Sequence, residues 1–253
     1  MTFYDFIPDF FFGGTKFECN LCGFKAESWL PRGHDYPIVK ELEIIGAGKR
    51  FVDCKKCGSS DRDRLVYEYV KFVHEKTSLR NKKLLHVAPE KSLSKKLEDD
   101  IGLNITRIDY RAKGYKFTYN KSVISGDVQN LPFESESYDM VICNHVLEHV
   151  EDDSKALNEI HRVLKTGGFA ILQVPISLKL DQTIRSESNW TSKDKINKLG
   201  QHDHLRLYGL NFKKTLKEHR FEPIFWYEKD QKSIKFQGLN PKEFVIIASK
   251  SIV

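Results

Sequence analysis

The chain has 253 residues, 40% hydrophobic and 30% charged, which is enough for one large α/β domain with a small appendage and excludes global disorder. Lysine and arginine number 41 against 35 aspartates and glutamates, a mild basic excess that suits an anionic substrate. It lacks the concentrated patch of a nucleic-acid binder, so we expect no nucleic-acid partner.

The N-terminal stretch MTFYDFIPDFFFGG is aromatic but carries acidic residues and a proline and has no basic segment. We therefore expect neither a secretion signal nor a membrane span, and we predict a cytoplasmic protein with no membrane partner.

Four of the five cysteines form two CxxCG pairs, Cys19 with Cys22 and Cys54 with Cys57. Such turns point two thiolates inward, and tetrahedral zinc takes four, so we predict a zinc-ribbon-like module over residues 1–60. The pairs are further apart than the ribbon spacing of about 15 to 20 residues, which an inserted hairpin would absorb. Four thiolates leave no open position, so the zinc would be structural. Two disulfides are the alternative, which a reducing compartment disfavours.

The remaining chain, 61–253, alternates between strands and helices. A helix is predicted from Asp61 to near Thr77 because Asp61 can cap an apolar stripe. The elements that follow are strand 83–88, helix 91–100, strands 104–109, 122–125 and 138–143, helix 152–164, strand 168–175, helix 209–219, and strands 222–228 and 243–249. This alternation predicts a doubly wound, mostly parallel α/β sheet.

Two features depart from regular alternation. The last two predicted strands have no helix between them, which indicates an antiparallel hairpin at one edge of the sheet. Segment 177–208 begins with a long, polar, weakly periodic stretch, and we predict that it forms a lid or substrate-binding segment.

Ligands in open α/β sheets bind beyond the carboxyl ends of the strands, so the strand ends are the informative places. Four stretches occur there in order: LLHVAPEKS, ITRIDYRAKG, ISGDVQNLPFESESYDMVICNHVLEHV and RVLKTGG. Together they resemble class I S-adenosylmethionine-dependent methyltransferases over about residues 80–250. The CxxCG pairs followed by CGSSDRDRL also look like a bacterial subgroup with a zinc-ribbon-like head.

The resemblance implies a Rossmann-like fold and a set of cofactor contacts. Asp109 would accept hydrogen bonds from the ribose hydroxyls, for which a carboxylate is suited. Asp127 would face the adenine amine, and the Val128 amide would contact a ring nitrogen. Asn144 and His145 would lie near the reactive methyl. Each acid also has a simpler interpretation, as a turn or cap residue.

The glycine-rich cofactor loop of this family is altered here. The usual acid-x-Gly-x-Gly-x-Gly pattern places His86, Ala88, Glu90 and Ser92 in its four positions, so all three glycines are replaced. We predict that Glu90 binds the ammonium of S-adenosylmethionine, with His86 and Ala88 also lining the cofactor. The alternatives are a helix-start carboxylate and a domain that has lost its cofactor.

Four histidines are candidates for the base that a neutral oxygen nucleophile needs. If GQHDHLRLYG is extended, His202, His204 and Arg206 share one face. We predict His202, His204 and His145 as catalytic candidates and Arg206 as a substrate ligand. His149 is interpreted as a structural residue packed under the sheet.

Two arginines in SSDRDRL, Arg62 and Arg64, are predicted to orient an anionic group of the substrate. Ordinary helix-surface pairing with Asp61 and Asp63 is the alternative. The unpaired Cys143 lies in an apolar strand and is predicted to be inert core.

The resemblance therefore implies methyl transfer from S-adenosylmethionine to a small polar acceptor. The histidine and arginine cluster favours an oxygen of an anionic, phosphate-bearing or sugar-like metabolite, as in polysaccharide biosynthesis. An RNA base methyltransferase whose zinc head grips RNA is one alternative. A non-catalytic binding or scaffold protein is another, favoured by the missing glycines.

Overall fold

A computed structural model describes residues 16–110 and 123–251. Residues 1–15 of the predicted head and residue 122 of a predicted strand lie outside this part. The head consists of β1 (Phe17–Glu18), β2 (Lys25–Ala26), β3 (Leu30–Arg32), α1 (Pro37–Glu41), β4 (Ile44–Ile45) and β5 (Arg50–Asp53). The antiparallel pair β3 and β5 is the hairpin expected between the two cysteine pairs, with α1 and β4 inserted in it.

The second part of the chain alternates as the sequence predicts. Its first elements are α2 (Asp61–Thr77), β6 (Lys83–Val87), α3 (Lys91–Lys96) with a π-helical turn at Leu97–Ile101, β7 (Asn104–Asp109), β8 (Val123–Ser125), β9 (Tyr138–Cys143), α4 (Asp153–Val163) and β10 (Leu164–Ile171). Next come β11 (Ile176–Ser177), β12 (Ile184–Arg185), α5 (Ser192–Leu199), β13 (Arg206–Leu207), α6 (Phe212–Glu218), β14 (Phe221–Trp226), α7 (Gln231–Gln237) and β15 (Val245–Lys250).

A seven-stranded sheet organises this part, in the order β14-β15-β10-β9-β6-β7-β8. All neighbours pair in parallel except β15, which is antiparallel to both β10 and β14. The doubly wound, mostly parallel sheet with an antiparallel edge is therefore confirmed. The chain order reverses between β6 and β9, and this switch point is where a ligand crevice opens in such sheets.

The observed elements differ most from the predicted ones at α7, α5 and β10. Helix α7, between β14 and β15, was not predicted, because its segment buries only Ile234 and so shows no apolar stripe. Helix α5 inside the polar segment was missed for the same reason, since only Leu199 is buried. Strand β10 begins earlier than predicted because a register shift between Leu164 and Phe169 accommodates a glycine pair, and its regular part ends at Ile171.

The head lies on the same side of the sheet as α2. Cys19 and Trp29 of the head share a hydrophobic cluster with Leu65 of α2 and Ile142 of β9. Burying these apolar groups together stabilises both parts at once, because each removes the other's surface from water. The opposite face of the sheet is covered by α4, which buries Ala156, Leu157 and Ile160.

Segment 177–208 packs against the insertion in the head. Strand β11, at the start of this segment, pairs antiparallel with β4, and β12 pairs with β13. Val39, Ile44, Leu199 and Leu207 form a separate small core between the two regions. The segment thus forms a layer beside the cleft. Within the described residues, the helices are too short or too polar to traverse a lipid bilayer.

Candidate functional site

The cleft at the switch point is lined by the residues that follow β6, β7 and β9. His86 at the end of β6 is completely buried, and Asp109 at the end of β7 and Asn144 after β9 are buried as well. Parallel strands end at the same edge of a sheet, so the fold brings these predicted cofactor residues together.

Glu90 lies between two strand ends. Its Oε2 is 2.8 Å from His86 Nε2, and its Oε1 accepts a hydrogen bond from Asn144 Nδ2 at 3.2 Å. Asn144 Oδ1 and His86 Nδ1 are buried with no hydrogen-bond partner among the described residues. Buried polar atoms are normally paired, so these two atoms mark a place where a ligand with polar groups fits.

Ala88 keeps the backbone conformation that a glycine usually provides in this loop. Its φ is +46°, in the left-handed region, and its N–H donates to the Ile108 carbonyl at 2.8 Å. Ser92, at the last aligned position, donates from Oγ to the Cys57 carbonyl at 2.7 Å. The loop is therefore anchored to the second cysteine pair.

Asp127 caps its own turn. Its Oδ1 accepts from the Gln129 N–H at 2.8 Å, and Gln129 Nε2 lies 3.1 Å from Oδ2. The neighbouring Val128 side chain is buried in the core. The simpler interpretation of Asp127 is thus observed, and the contacts of Asp127 and Val128 with adenine stay predictions.

Asp63 is a site residue that the sequence argument interpreted only as an arginine partner. Burial and the negative charge of Glu90 raise the pKa of Asp63 to about 6. Its carboxylate also accepts from the Ser60 N–H at 2.8 Å in a capping box at the start of α2. Two carboxylates whose negative charges repel each other in a cleft favour the binding of a cationic ligand. The S-x-x-D pattern of Ser60 and Asp63 is the sequence feature that could have indicated this residue.

His145 and Arg62 meet beside this cleft. One Arg62 guanidinium nitrogen lies 2.7 Å from His145 Nε2 and also donates to the Gly46 carbonyl at 2.7 Å. His145 Nδ1 is 3.1 Å from Glu148 Oε1. Burial and the positive charge of Arg62 hold the pKa of His145 well below its usual value, so the ring is neutral. Arg62 therefore lies at the site.

His204 also lies at the site, next to His149, which was predicted to be structural. The rings of His149 and His204 are 4.9 Å apart and nearly perpendicular. Burial lowers the pKa of His204 to about 4. His149, predicted to be structural, is only partly buried and faces His204. Glu148, which the sequence argument did not select, is buried beside them, and burial raises its pKa to about 8.

His202 does not share the orientation of His204. Its side chain is 66% exposed, whereas His204 is buried. The prediction of a shared face is wrong for His202 because residues 201–203 form a bend and a turn, and the short strand begins only at Arg206. The alternation argument requires an extended backbone.

Arg64 is a structural residue, so its predicted role in substrate binding is wrong. The side chain is completely buried and donates to the carbonyls of Val52, Ser59 and Gln237 at 2.8 to 2.9 Å. Its guanidinium also lies 4.3 Å from the ring centre of Trp29. These contacts join the head to α2 and α7 and leave the arginine away from solvent.

The Arg206 guanidinium is also occupied by contacts within the protein, so its predicted role as a substrate ligand is wrong. Its guanidinium donates to the carbonyls of Leu147 and Glu151, the second at 2.8 Å. Its Nε is 3.5 Å from Asp153, an ion pair that is too long for a hydrogen bond. Arg206 holds the turn that carries Glu148 and His149.

The four predicted zinc ligands come together in the head. The sulfurs of Cys19 and Cys57 are 3.7 Å apart, and those of Cys22 and Cys54 are 3.6 Å apart. All four are free thiols, so the disulfide alternative is wrong. Zinc–sulfur bonds of about 2.3 Å place tetrahedral sulfurs about 3.8 Å apart, so the cluster has the size that zinc requires.

Glycines close both CxxC turns. Gly23 and Gly58 have φ of +71° and +72°, and each N–H donates to the carbonyl of the first cysteine of its pair. Side chains rarely take this conformation, which explains the glycine after each pair. Cys143 is buried in β9, as predicted, and burial raises its thiol pKa.

Comparison with known proteins shows which part of the chain resembles a known domain. Residues 89–172 match the model of the methyltransferase domain. The chain is 36% identical over 88 residues to an uncharacterized protein of Methanocaldococcus jannaschii, covering 35% of this chain and 34% of the relative. It is 44% identical over 52 residues to the demethylmenaquinone methyltransferase of Staphylococcus epidermidis, covering 21% and 22%.

A longer match is to the sterol 24-C-methyltransferase of Candida albicans, at 27% identity over 59% of this chain and 43% of the relative. The chain thus spans less than half the length of these relatives. A solved structure of the CurJ carbon methyltransferase matches with a TM-score of 0.50 and 17% identity, over 75% of this chain and 54% of that one. Residues 89–172 are therefore similar to a methyltransferase domain, and the chain has a Rossmann-like methyltransferase fold.

Proposed function

We propose that the protein transfers a methyl group from S-adenosylmethionine to an oxygen of a small polar acceptor. The observation that carries this proposal is the arrangement of Glu90, Asn144 and Asp109 at three strand tips around the switch point. A carboxylate at the end of β7 suits the ribose diol. Glu90, with Asp63 near it, suits the ammonium of the amino acid end.

The bound cofactor supplies a methyl group on a positively charged sulfur. The protein then has to align the acceptor, since proximity and orientation account for much of the barrier. The acceptor oxygen forms a bond to the methyl carbon, and the electron pair of the broken carbon–sulfur bond stays on sulfur. The hydroxyl proton goes to a base, for which His145 and His204 are the neutral candidates.

An anionic or sugar-like acceptor is the finer part of the proposal. Arg62 lies beside His145, and its Nε is buried with no partner in the described part of the chain, which supports an anionic acceptor. A role in polysaccharide biosynthesis rests on the family resemblance alone, and a cytoplasmic location stays a prediction from the sequence. We further propose that Cys19, Cys22, Cys54 and Cys57 hold a structural zinc ion, as their spacing allows.

Calorimetry with S-adenosylmethionine tests the proposal. We expect binding by the wild-type protein and an affinity about ten- to a hundredfold weaker in Glu90→Gln, because a charge-assisted hydrogen bond contributes about 1.5 to 3 kcal/mol. Glu75→Gln, on the exposed surface of α2, is the matched control and should bind as the wild type does. Absence of binding by the wild-type protein would favour a scaffold role.

The acceptor class is tested separately with a methyl-labelled cofactor. Transfer to small anionic or sugar-like hydroxyl compounds is expected, with a product that resists mild base as an ether does. Label found only in RNA, with binding that weakens steeply with salt, would support the RNA alternative.

A further inference from the structure

Three side chains beside the cleft form a cluster to which the reaction as proposed assigns no common role. Glu148 and His149 lie on the turn after β9, and His204 lies just before β13. One ligand atom from each of the three lies within 4.8 Å of the others. The rings of His149 and His204 are nearly perpendicular and therefore do not stack face to face.

Two of these side chains have buried atoms that lack a partner. Glu148 is 1% exposed and His204 is 4% exposed. Glu148 Oε2 and His204 Nδ1 have no hydrogen-bond partner within residues 16–110 and 123–251. Leaving a carboxylate oxygen and an imidazole nitrogen unpaired in the interior costs about 1 to 3 kcal/mol each, so two such atoms on residues of one cluster support a ligand bound there.

The chain holds the two segments of the cluster in register. The Leu205 N–H donates to the Glu148 carbonyl at 2.8 Å, which ties the residue after His204 to the opposite segment. Arg206 donates to the carbonyls of Leu147 and Glu151 on either side. A cluster fixed by its backbone loses little entropy when it binds a ligand.

The shared ligand chemistry is that of a metal ion. Two imidazoles and one carboxylate form a set that first-row divalent cations bind, and three protein ligands leave coordination positions open. His145 completes the surroundings, because its Nδ1 lies 3.1 Å from the second oxygen of Glu148 and can orient the carboxylate.

We propose that Glu148, His149 and His204 bind one divalent first-row metal ion, which takes a hydroxyl of the acceptor in an open position. This inference rests on the proposed function and narrows its substrate to an oxygen nucleophile. A bound cation lowers the pKa of a hydroxyl. With the ion bound, His204 would be a ligand rather than the base, and the hydroxyl proton would pass to water. The oxygen pair would form the bond to the methyl carbon, and the carbon–sulfur pair would stay on sulfur.

Titration of the full-length protein with Mn²⁺, followed by electron paramagnetic resonance, tests the site. Loosely held metal is first removed on a chelating resin, and retained zinc is measured. The wild-type protein should remove one equivalent of free Mn²⁺ signal, and pulsed spectra should show nitrogen coupling from imidazole. Glu148→Gln and His204→Asn should each raise the dissociation constant at least tenfold.

His202→Asn is the matched control, since His202 is exposed and two residues from His204, and its Mn²⁺ affinity should equal that of the wild type. The proposal is overturned if the wild-type protein binds no Mn²⁺, if the bound ion shows no nitrogen coupling, or if a correctly folded His204→Asn or Glu148→Gln protein binds as the wild type does. Circular dichroism establishes folding. The nitrogen coupling of the wild type decides the matter if both variants misfold.

Cofactor binding separates this proposal from the broader one. S-adenosylmethionine binding and unchanged methyl transfer in the metal-depleted protein would overturn the metal site and leave the methyltransferase function standing. If the protein binds Mn²⁺ with nitrogen coupling but binds no S-adenosylmethionine, the metal site stands and the methyltransferase function is overturned.

Discussion

The backbone of Ala88 takes a conformation that its side chain opposes. In the left-handed region the Cβ of an L-residue approaches the following carbonyl, at a cost of about 1 to 2 kcal/mol. The loop nevertheless keeps this φ, as though a glycine were present. The altered sequence of the cofactor loop therefore changes the side chains that face the cleft while the turn itself is retained.

Ala88→Gly should leave the free energy of unfolding unchanged or raise it by up to about 1 kcal/mol, because relief of the left-handed conformation outweighs the extra freedom of the unfolded chain. Urea denaturation measures the change. Ala170→Gly, in β10 where the residue is buried and its φ is not positive, is the control and should lower stability. Equal destabilisation by both substitutions would contradict a strained Ala88.

Glu243 is a second residue whose environment opposes its normal state. It is buried beside the site, and burial together with the negative charge of Asp61 raises its pKa to about 7. The folded protein then binds this proton more tightly than the unfolded chain, whose glutamate pKa is about 4.3. Its contribution to stability is therefore present below about pH 4 and is lost as pH rises towards about 7.

Glu243→Gln should remove this loss, so the difference in unfolding free energy between pH 5 and pH 8 should shrink by on the order of 1 kcal/mol relative to the wild type. Urea denaturation at both pH values measures it. Glu222→Gln, on the exposed face of β14, is the control and should leave the difference unchanged. A pH dependence identical in wild type and Glu243→Gln would show that Glu243 titrates normally.

At the scale of elements, the sequence predicted the bounds best for strands that are buried on both faces of the sheet. Strands β6 and β9 match their predicted bounds to within one residue because their apolar runs suit the middle of a parallel sheet. Helices α5 and α7 were missed because each buries one residue and begins with side-chain caps, such as Asp230 on the amides of Lys232 and Ser233. Capping pairs are short patterns that many loops also contain.

The same reasoning explains which part of the site could be predicted. The resemblance to class I methyltransferases indicated His86, Asp109 and Asn144, and residues at the tips of parallel strands converge by topology. Glu148, His149 and His204 meet because a turn near residue 148 is clamped to residues 205 and 206. No sequence pattern predicts this long-range contact. The backbone partners of Arg206 were therefore not expected, and the residue was interpreted as a substrate ligand.

Arg206 should stabilise the turn that carries Glu148. We expect Arg206→Lys to lower the free energy of unfolding by on the order of 2 kcal/mol, since a lysine cannot reach both carbonyls with a planar fork and one would be left buried and unpaired. Urea denaturation measures the loss. Arg185→Lys is the control: Arg185 also pairs with Asp153, but it is half exposed and should contribute less than about 1 kcal/mol.

If the two lysine variants lose the same stability, Arg206 is an ordinary ion-pair residue rather than the clamp of the turn. The pairing of both arginines with one carboxylate makes this comparison direct, because the partner is held constant and only the burial and the backbone contacts differ.

At the scale of the whole molecule, the head and the sheet behave as one packed unit. Cysteines of the head share a hydrophobic cluster with α2 and the central strands, and β4 pairs with β11 on the other side of the cleft. Ser92, at the last position of the cofactor loop, donates to the Cys57 carbonyl. A change at the cysteine cluster is thus expected to reach the cofactor loop through direct contacts.

Loss of the proposed zinc should therefore affect both stability and cofactor binding. Structural zinc contributes about 10 to 16 kcal/mol of apparent binding free energy in small peptides, comparable to the whole stability of a domain. We expect Cys54→Ser to lose one equivalent of zinc and to unfold the head, measured by a colorimetric zinc assay and near-ultraviolet circular dichroism. S-adenosylmethionine affinity should fall with it because the Ser92 anchor is lost.

Cys143→Ala provides the control, since it also removes one buried thiol but leaves the cluster of four intact. It should retain one zinc per chain and the near-ultraviolet spectrum of the head. One equivalent of zinc retained by Cys54→Ser would contradict the four-thiolate site. Zinc loss with unchanged cofactor affinity would instead contradict the coupling through Ser92, because the head would then hold the cysteine cluster without supporting the loop that faces the cofactor.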